Sequence, residues 1–369
     1  MPLIWGSISG HGYGHAAQVV PVLNALARLV PDLKALLRTS VPSGFFEPRL
    51  TIPWQLSPAQ QDIGCIQNGP LTIDVAGTWS AHRTLHADWE TKIEAEASLI
   101  RQASPRLVLS DVSHLGIAAG AAAGIPTIGL CSLSWDLVLE PFVDPAEPDH
   151  AVIMRQIREA YANADCFLRV APGLTVTAFR QMRDVGPIAE PSGPHTATLR
   201  QAVGAAPSEK VILVGFGGIA LQAPPFKHME AMHGFRFLFD GPVPAGLSRV
   251  SSLSAVGLPF KHILASVDLV LTKPGYGTTV ESVALGIPVV YVTGALASYE
   301  RKRRYNFADE QSLVDYLQRH GRSAELSLDA FHQGQWEPAI REALAQSPAS
   351  PPPPLSGAHD AANILHTYF

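Results

Sequence analysis

Residues 268–292, Asp-Leu-Val-Leu-Thr-Lys-Pro-Gly-Tyr-Gly-Thr-Thr-Val-Glu-Ser-Val-Ala-Leu-Gly-Ile-Pro-Val-Val-Tyr-Val, constrain this chain more than any other stretch. An apolar run, a glycine-rich turn, a short helical stretch, a Gly-Ile-Pro break and a second apolar run follow one another. That order is a βαβ unit, whose two strands lie parallel because the helix carries the chain back along the sheet. The turn then sits at the carboxyl end of the first strand, where open α/β sheets take their ligands. Gly275 and Gly277 let backbone come close to an anion. Thr278 and Thr279 are read as caps of the helix, whose first N–H groups, from Tyr276 on, point at whatever occupies the turn. Glu281 is placed in the first helical turn, from which its carboxylate reaches past the phosphates to vicinal sugar hydroxyls. The pattern predicts a site for a nucleotide-sugar diphosphate. Lys273 either neutralises that diphosphate or is a surface lysine ahead of Pro274.

Length and charge narrow the rest. A chain of 369 residues has room for two domains, and 47% hydrophobic against 16% charged residues suits buried parallel strands. A net charge of −5 argues against a nucleic-acid partner, which would require a broad basic face. The one basic run, residues 301–304, is read as a solvated helix start, with peripheral contact to phosphate or anionic lipid left open. Cys65, Cys131 and Cys166 are odd in number, far apart and set in apolar runs, so they are expected as reduced core thiols without metal-ligand spacing. The chain opens directly into a strand and a glycine loop instead of a leader. No apolar run reaches the ~18–20 residues that span a bilayer, and a cytoplasmic protein is expected.

Apolar strands alternate with helical stretches from end to end, which predicts α/β architecture with parallel sheets. In the first half, residues 3–8, 34–38, 106–110, 127–130 and 166–170 are expected as strands. Helices are expected at 16–30, at 81–102 as one long element, at 115–123 and at 151–163. Residues 185–194 are rich in Gly and Pro and lack periodicity, so the boundary between a first domain, 1–190, and a second, 191–350, is placed there. The second half restarts with strands at 210–214 and 235–239. Four prolines at 351–354 form a stiff spacer, and the helix expected beyond it, within 351–369, is read as returning to the first domain.

The loop Ser9-Gly10-His11-Gly12-Tyr13-Gly14-His15 joins the first strand to its helix. Three glycines in five positions imply backbone that turns sharply and comes close to something bulky. His15, at the helix start, is suited as neutral imidazole to take a proton from an alcohol. Histidine filling or capping the loop is the plainer reading. No carboxylate or cysteine accompanies His11 and His15 in the loop, so no metal is expected there. Asp111 ends the strand at 106–110, at the same sheet edge, where it either orients His15 as the third member of a base relay or caps the next helix. His114 either lines the same pocket or, on the favoured reading, is a surface residue of that cap turn.

Several ordered blocks resemble a known family. The stretch from Thr272 to Glu281, followed by Gly286-Ile287-Pro288, resembles the donor-binding turn of GT-B glycosyltransferases, the MurG-like group in particular. A closer similarity is to the glycosyltransferase-like N-terminal region of L-arabinokinases. It rests on Gly10-His11-Gly12-Tyr13-Gly14-His15-Ala16, Ser110-Asp111-Val112, Leu133-Ser134-Trp135-Asp136, Phe167-Leu168-Arg169, Phe216-Gly217-Gly218, Lys273-Pro274-Gly275-Tyr276-Gly277-Thr278 and Gly334-Gln335-Trp336-Glu337-Pro338. These blocks run from residue 9 to the final helix. Arabinokinases continue into a sugar-kinase domain with its own ATP loop, so sugar phosphorylation is not implied here.

The resemblance implies a GT-B fold, two Rossmann-like domains facing across a cleft, with nucleotide on the C-terminal one and acceptor on the N-terminal one. Glu281 would then hold the ribose, the turn at 275–279 the diphosphate, Phe260 the base, and Glu300 with Asn306 the donor sugar. Gly217 and Gly218 would add amides. His15 would lie near the reacting centre, and His11, Gly12, Asp74, Trp135 and Asp136 would line the acceptor side. The plainer readings are Ser134 or Asp136 as a helix cap, Trp135 as packing and Trp336 as a packing anchor. GT-A enzymes hold a divalent ion with Asp-x-Asp, a motif absent from this sequence. The expected activity is therefore an inverting, metal-independent glycosyl transfer without a cofactor, from a nucleotide-diphosphate sugar, a UDP-sugar foremost, to an unidentified acceptor. A non-catalytic nucleotide-sugar-binding protein is the alternative, and a nucleotide-sugar epimerase ranks third.

Overall fold

A computed structural model describes residues 2–217, 221, 224–293 and 307–369. The chain splits into two units. The first comprises residues 1–66, 73–189 and 354–369, the second residues 67–72 and 190–353. Each is built on one all-parallel sheet, as the alternation of apolar and helical runs requires.

The first sheet holds β1 (Leu3–Ile8), β2 (Lys34–Thr39), β3 (Trp54–Pro58), β4 (Leu107–Asp111), β5 (Thr127–Cys131), β6 (Cys166–Val170) and β7 (Met182–Val185), in the order β3-β2-β1-β4-β5-β6-β7. The second holds β8 (Lys210–Val214), β9 (Phe235–Phe239), β10 (Val250–Ser252), β11 (Leu269–Thr272), β12 (Val289–Thr293) and β13 (Ser323–Ser327), in the order β10-β9-β8-β11-β12-β13. Both orders reverse beside their first strand, between β1 and β4 and between β8 and β11. At such a reversal the two following connections leave toward opposite faces and open a crevice at the carboxyl edge.

Central strands β4, β5, β11 and β12 are buried along their whole length, which is why they read as unbroken apolar runs. The expected strands are present with ends within a residue. Missing from the sequence reading are β3, β7, β10 and β13, each of only three to five residues and of mixed polarity, too short for the alternation present in β3 and β13 to mark a strand. The long helix expected at 81–102 is two helices, Val75–His86 and Trp89–Ala103, broken where Asp88 turns left-handed at φ 52°. Lys92 Nζ donates to the carbonyls of Thr84, Leu85 and Ala87, satisfying the end of the first helix across the break. The C-terminal helix, Gly357–His366, packs along helix Tyr13–Ala27 with Ala361, Ala362 and Leu365 buried.

The second unit's core is aromatic. Trp336 is fully buried, stacks on Phe331 at 5.1 Å and donates Nε1–H to its carbonyl at 2.8 Å. It is the packing anchor of this unit. Trp336→Ala is expected to cost about 3–5 kcal/mol, because neighbouring rings cannot collapse into the space it leaves. Urea unfolding checks this, and a loss under about 1 kcal/mol would contradict it. All three cysteines are free and buried. Among the described residues, no helix is long and apolar enough to cross a membrane.

Candidate active site

Strand register brings the first loop and Asp111 together. Ile8, the last residue of β1, pairs with Asp111, the last of β4. The loop that leaves β1 therefore starts beside the carboxylate. Gly12 stands at φ 84° as the residue before helix Tyr13–Ala27, a conformation that a side chain would strain. Helix formation then begins at Tyr13, three residues earlier than the pattern suggests, and puts His15 inside the first turn.

His15 Nδ1 lies 3.0 Å from Asp111 Oδ1, both side chains being buried. A carboxylate can only accept, so Nδ1 carries the proton and Nε2 keeps its lone pair. Asp111 does not cap the following helix. Ser113 does so, accepting from Gly116 N at 3.1 Å. Between them Val112, a β-branched residue, is held at φ 51°, with its carbonyl accepting from Tyr161 OH at 2.9 Å. Such a residue persists in the left-handed region only where its surroundings enforce it.

The thiol of Cys131, at the end of β5, lies 3.8 Å from His15 Nδ1. Burial, and then the Asp111 charge, push its pKa well above the ordinary thiol value. The ligand-type atoms of His15, Asp111 and Cys131 lie within 4.8 Å of one another. The contact at their centre is the hydrogen bond already described.

Sequence reasoning missed the other carboxylate of this neighbourhood. Asp62 follows β3 in an irregular stretch with no period to mark it. It is buried, accepts from Ser9 Oγ at 2.9 Å and from Trp135 Nε1 at 2.8 Å. Burial pushes its pKa up to about 6, against the lowering effects of His15, Trp135 and Ser9. Its segment is pinned on both sides. Gln61 hydrogen-bonds Ser7 and reaches Glu96 at 3.2 Å, and His11 Nε2 meets Cys65 O at 2.8 Å. A Cβ on Gly64 would come within 2.7 Å of the His11 ring and 2.9 Å of Trp135, so only glycine lets this stretch close over them.

The remaining acceptor-side candidates have defined partners. Trp135 is buried, with ring centroids 5.1 Å from His11 and 5.6 Å from His15. Asp136 is buried and accepts from Ser134 Oγ at 2.6 Å and Arg158 Nε at 3.4 Å. Asp74 is an exposed helix cap, accepting from Gly77 N at 2.8 Å. His114 is not at the surface. It is wholly buried and stacked on His86 at 5.1 Å, since the helix it opens packs against helices Trp89–Ala103 and Pro148–Tyr161.

In the second unit Val214 pairs with Leu271, so the turn after β8 and the turn after β11 leave the sheet side by side. Gly217 stands at φ 72°. Helix Tyr276–Leu285 starts with Gly275 as its preceding residue and no side-chain cap. Thr278 and Thr279 are therefore not caps: they lie within the first turn, where Thr279 Oγ1 is buried without a hydrogen-bond partner. Glu281 lies in the second turn, not the first, because the helix begins at Tyr276. Among the described residues, a Cβ on Gly277 or Gly217 would meet no atom within 4 Å. Lys273 lies over the Phe307 ring at 5.4 Å. Its pKa is lowered by burial, against the opposing charges of Glu310 and Asp309. Phe260 is exposed at the start of helix Phe260–Leu264. Gly218, Glu300, Asn306 and the basic run at 301–304 lie outside the described residues.

No family model matches the chain. It is 26% identical over 365 residues to an L-arabinokinase of Arabidopsis thaliana, covering 97% of this chain and 33% of the relative, so it spans about a third of that protein's length. Among solved structures, the glycotransferase of kitacinnamycin superposes with a TM-score of 0.65 at 16% identity, covering 100% of this chain and 99% of that one. UGT2 of Phytolacca americana, complexed with UDP-2fluoro-glucose and pterostilbene, superposes with a TM-score of 0.57 at 17% identity, covering 99% and 89%. Two Rossmann-like units with reversed strand orders, matched over nearly their full length by these structures, give this chain the GT-B glycosyltransferase fold, with an arabinokinase as its sequence relative.

Proposed function

We propose that the protein transfers a sugar from a nucleotide diphosphate, a UDP-sugar foremost, to an acceptor hydroxyl, with inversion and without a metal ion. The buried His15–Asp111 pair at the switch point of the first sheet carries this reading. Asp111 holds the Nδ1–H tautomer, which leaves Nε2 as the base. The acceptor hydroxyl gives its proton to Nε2 as its oxygen bonds to the anomeric carbon. The bond from that carbon to the diphosphate oxygen breaks, and the electron pair leaves with the diphosphate. The imidazolium so formed is stabilised by the Asp111 carboxylate.

The donor's place is the turn from Thr272 to Glu281, at the switch point of the second sheet. Open space beside Gly277 among the described residues, the amides opening the helix and the neighbouring turn at Gly217 support a diphosphate there, in the role that a cation plays elsewhere. Lys273 adds positive charge, and Phe260 offers a surface for the base. Glu281, one turn further in, is assigned the ribose hydroxyls. The resemblance of this stretch to donor turns, and the UDP-2fluoro-glucose bound by UGT2, favour uridine. His11, Gly12, Asp74, Trp135 and Asp136 are assigned to the acceptor side.

Glu281→Ala is expected to weaken UDP binding at least about 30-fold, the loss of a charged pair of hydrogen bonds. Isothermal titration at pH 7.5 tests this, with full length protein and UDP or other nucleoside diphosphates. Absence of any nucleoside diphosphate binding to the wild type removes the proposal. Tight binding without turnover, indifferent to His15, makes the protein a nucleotide-sugar binder instead.

A further inference from the structure

Asp62 shares the neighbourhood of the base but has no part in the reaction just described. Its two oxygens are each held by one neutral donor, Ser9 Oγ at 2.9 Å and Trp135 Nε1 at 2.8 Å. Among the described residues no lysine or arginine pairs with it. Trp135 carries the geometry onward, with its ring 5.6 Å from His15 and 5.1 Å from His11, and its backbone N–H donating to Tyr161 OH at 3.2 Å. A carboxylate buried without a cation is costly unless something nearby gains from its charge. The group that gains is the imidazole, which becomes positive only when it has taken a proton.

We infer that Asp62 is a positioning residue for the base: through Trp135 it seats the His15 ring, and its charge stabilises the imidazolium formed as the acceptor proton moves. Asp62 itself neither gives nor takes a proton in the step. The inference rests on the proposed role of His15. Four elements face Asp62: the first loop with Ser9 and His11, the following helix with His15, β4 with Asp111, and the Trp135 segment with Tyr161 behind it. Of these, the His15 charge favours the Asp62 anion and the Asp111 charge opposes it. Coupling is mutual, so the Asp62 anion must favour protonated His15.

The first test needs no turnover. The His15 Cε1–H resonance, identified by its loss in His15→Gln, is followed against pH in wild type and Asp62→Asn. His15 is expected to titrate at lower pH in Asp62→Asn, by at least half a pH unit. An unchanged midpoint overturns the inference whatever the protein's activity proves to be.

The second test is kinetic, with a UDP-sugar and the best acceptor found. Asp62→Asn is expected to lower kcat about tenfold at pH 7.5 while leaving both KM values within twofold. Its acid limb should lose one ionisation, and Asp62→Glu should restore part of the rate. Trp135→Phe keeps the ring and the carboxylate but removes one donor to the anion. Its acid limb should therefore move to higher pH, which keeps the idea testable if Asp62→Asn does not fold. A folded Asp62→Asn with wild-type kcat and an unshifted acid limb overturns the inference. If His15→Ala proves fully active, the role of His15 falls, while the resonance titration still decides whether Asp62 and His15 are coupled.

Discussion

His15→Ala is expected to lower sugar transfer by about 10²–10⁴-fold while UDP binding stays within twofold. The rate falls because the acceptor hydroxyl must then lose its proton to water as the new bond forms. Binding is spared because nucleotide recognition is assigned to the second unit, whose turn His15 does not build. Asp111→Asn should be nearly as severe, although it conserves shape. An amide can present its N–H₂ to Nδ1, which selects the tautomer with the proton on Nε2 and leaves no base. Because the two residues act as one unit, the double variant should be little worse than either alone. Single-turnover assays with matched nucleotide titrations check all three. A His15→Ala protein that keeps more than about a third of wild-type kcat would end the base assignment, as would losses that multiply in the double variant.

The second large effect is on stability in acid. His82, His86 and His114 form a buried group, with His86 and His114 stacked and their Nε2 atoms 3.2 Å apart. Burial lowers His82 to about 4, against the hydrogen bond to Gly64 O. Burial also lowers His86 to about 4, against the hydrogen bond to Gln156 and with the help of the His82 and Lys92 charges. His114 is pushed well below its ordinary value by burial and by its two histidine neighbours. These groups are neutral in the fold between about pH 4 and 6.5, whereas the unfolded chain protonates them there. The unfolded chain thus binds more protons, and stability falls as pH drops through that window.

At ~1.4 kcal/mol per pH unit, His82 and His86 each cost about 3 kcal/mol by pH 4 relative to pH 7. Asp62 acts in the opposite sense. Its folded value of about 6 lies above the ordinary 3.8, so the fold binds the extra proton and gains about 2 kcal/mol on the same descent. A net loss of about 4 kcal/mol remains before His114 is counted, a large part of a usual folding free energy. Denaturant unfolding of the first unit's signal at pH 7.5 and 4.5 measures it. His86→Gln should flatten the curve. Equal stability at the two pH values, or a His86→Gln curve as steep as wild type, would contradict the account.

Much of the fold was legible because parallel strands covered on both faces must be apolar throughout. Leu3–Ile8, Cys166–Val170, Lys210–Val214 and Phe235–Phe239 can be bounded from the sequence to the residue for that reason. Strands β3, β7, β10 and β13 could not, since all four lie at sheet edges where one side meets solvent and apolarity is not demanded. The break at Asp88 was hidden too. Residues on either side keep helical spacing, and only Lys92 turning back to three carbonyls shows why two helices are stable there.

The same division runs through the site. Local sequence determined that glycine-rich turns follow β1 and β11, that His15 and Asp111 stand at carboxyl ends of strands, and that Glu281 rides on the helix after the second turn. Those are properties of near neighbours along the chain, and short-range patterns express them. Tertiary structure alone decided that Ile8 pairs with Asp111 and that Asp62 lies against Ser9 and Trp135. It also decided that His82, His86 and His114 share one buried space. Such meetings span tens of residues and depend on strand order and packing, and the sequence between the partners carries no periodic trace of them.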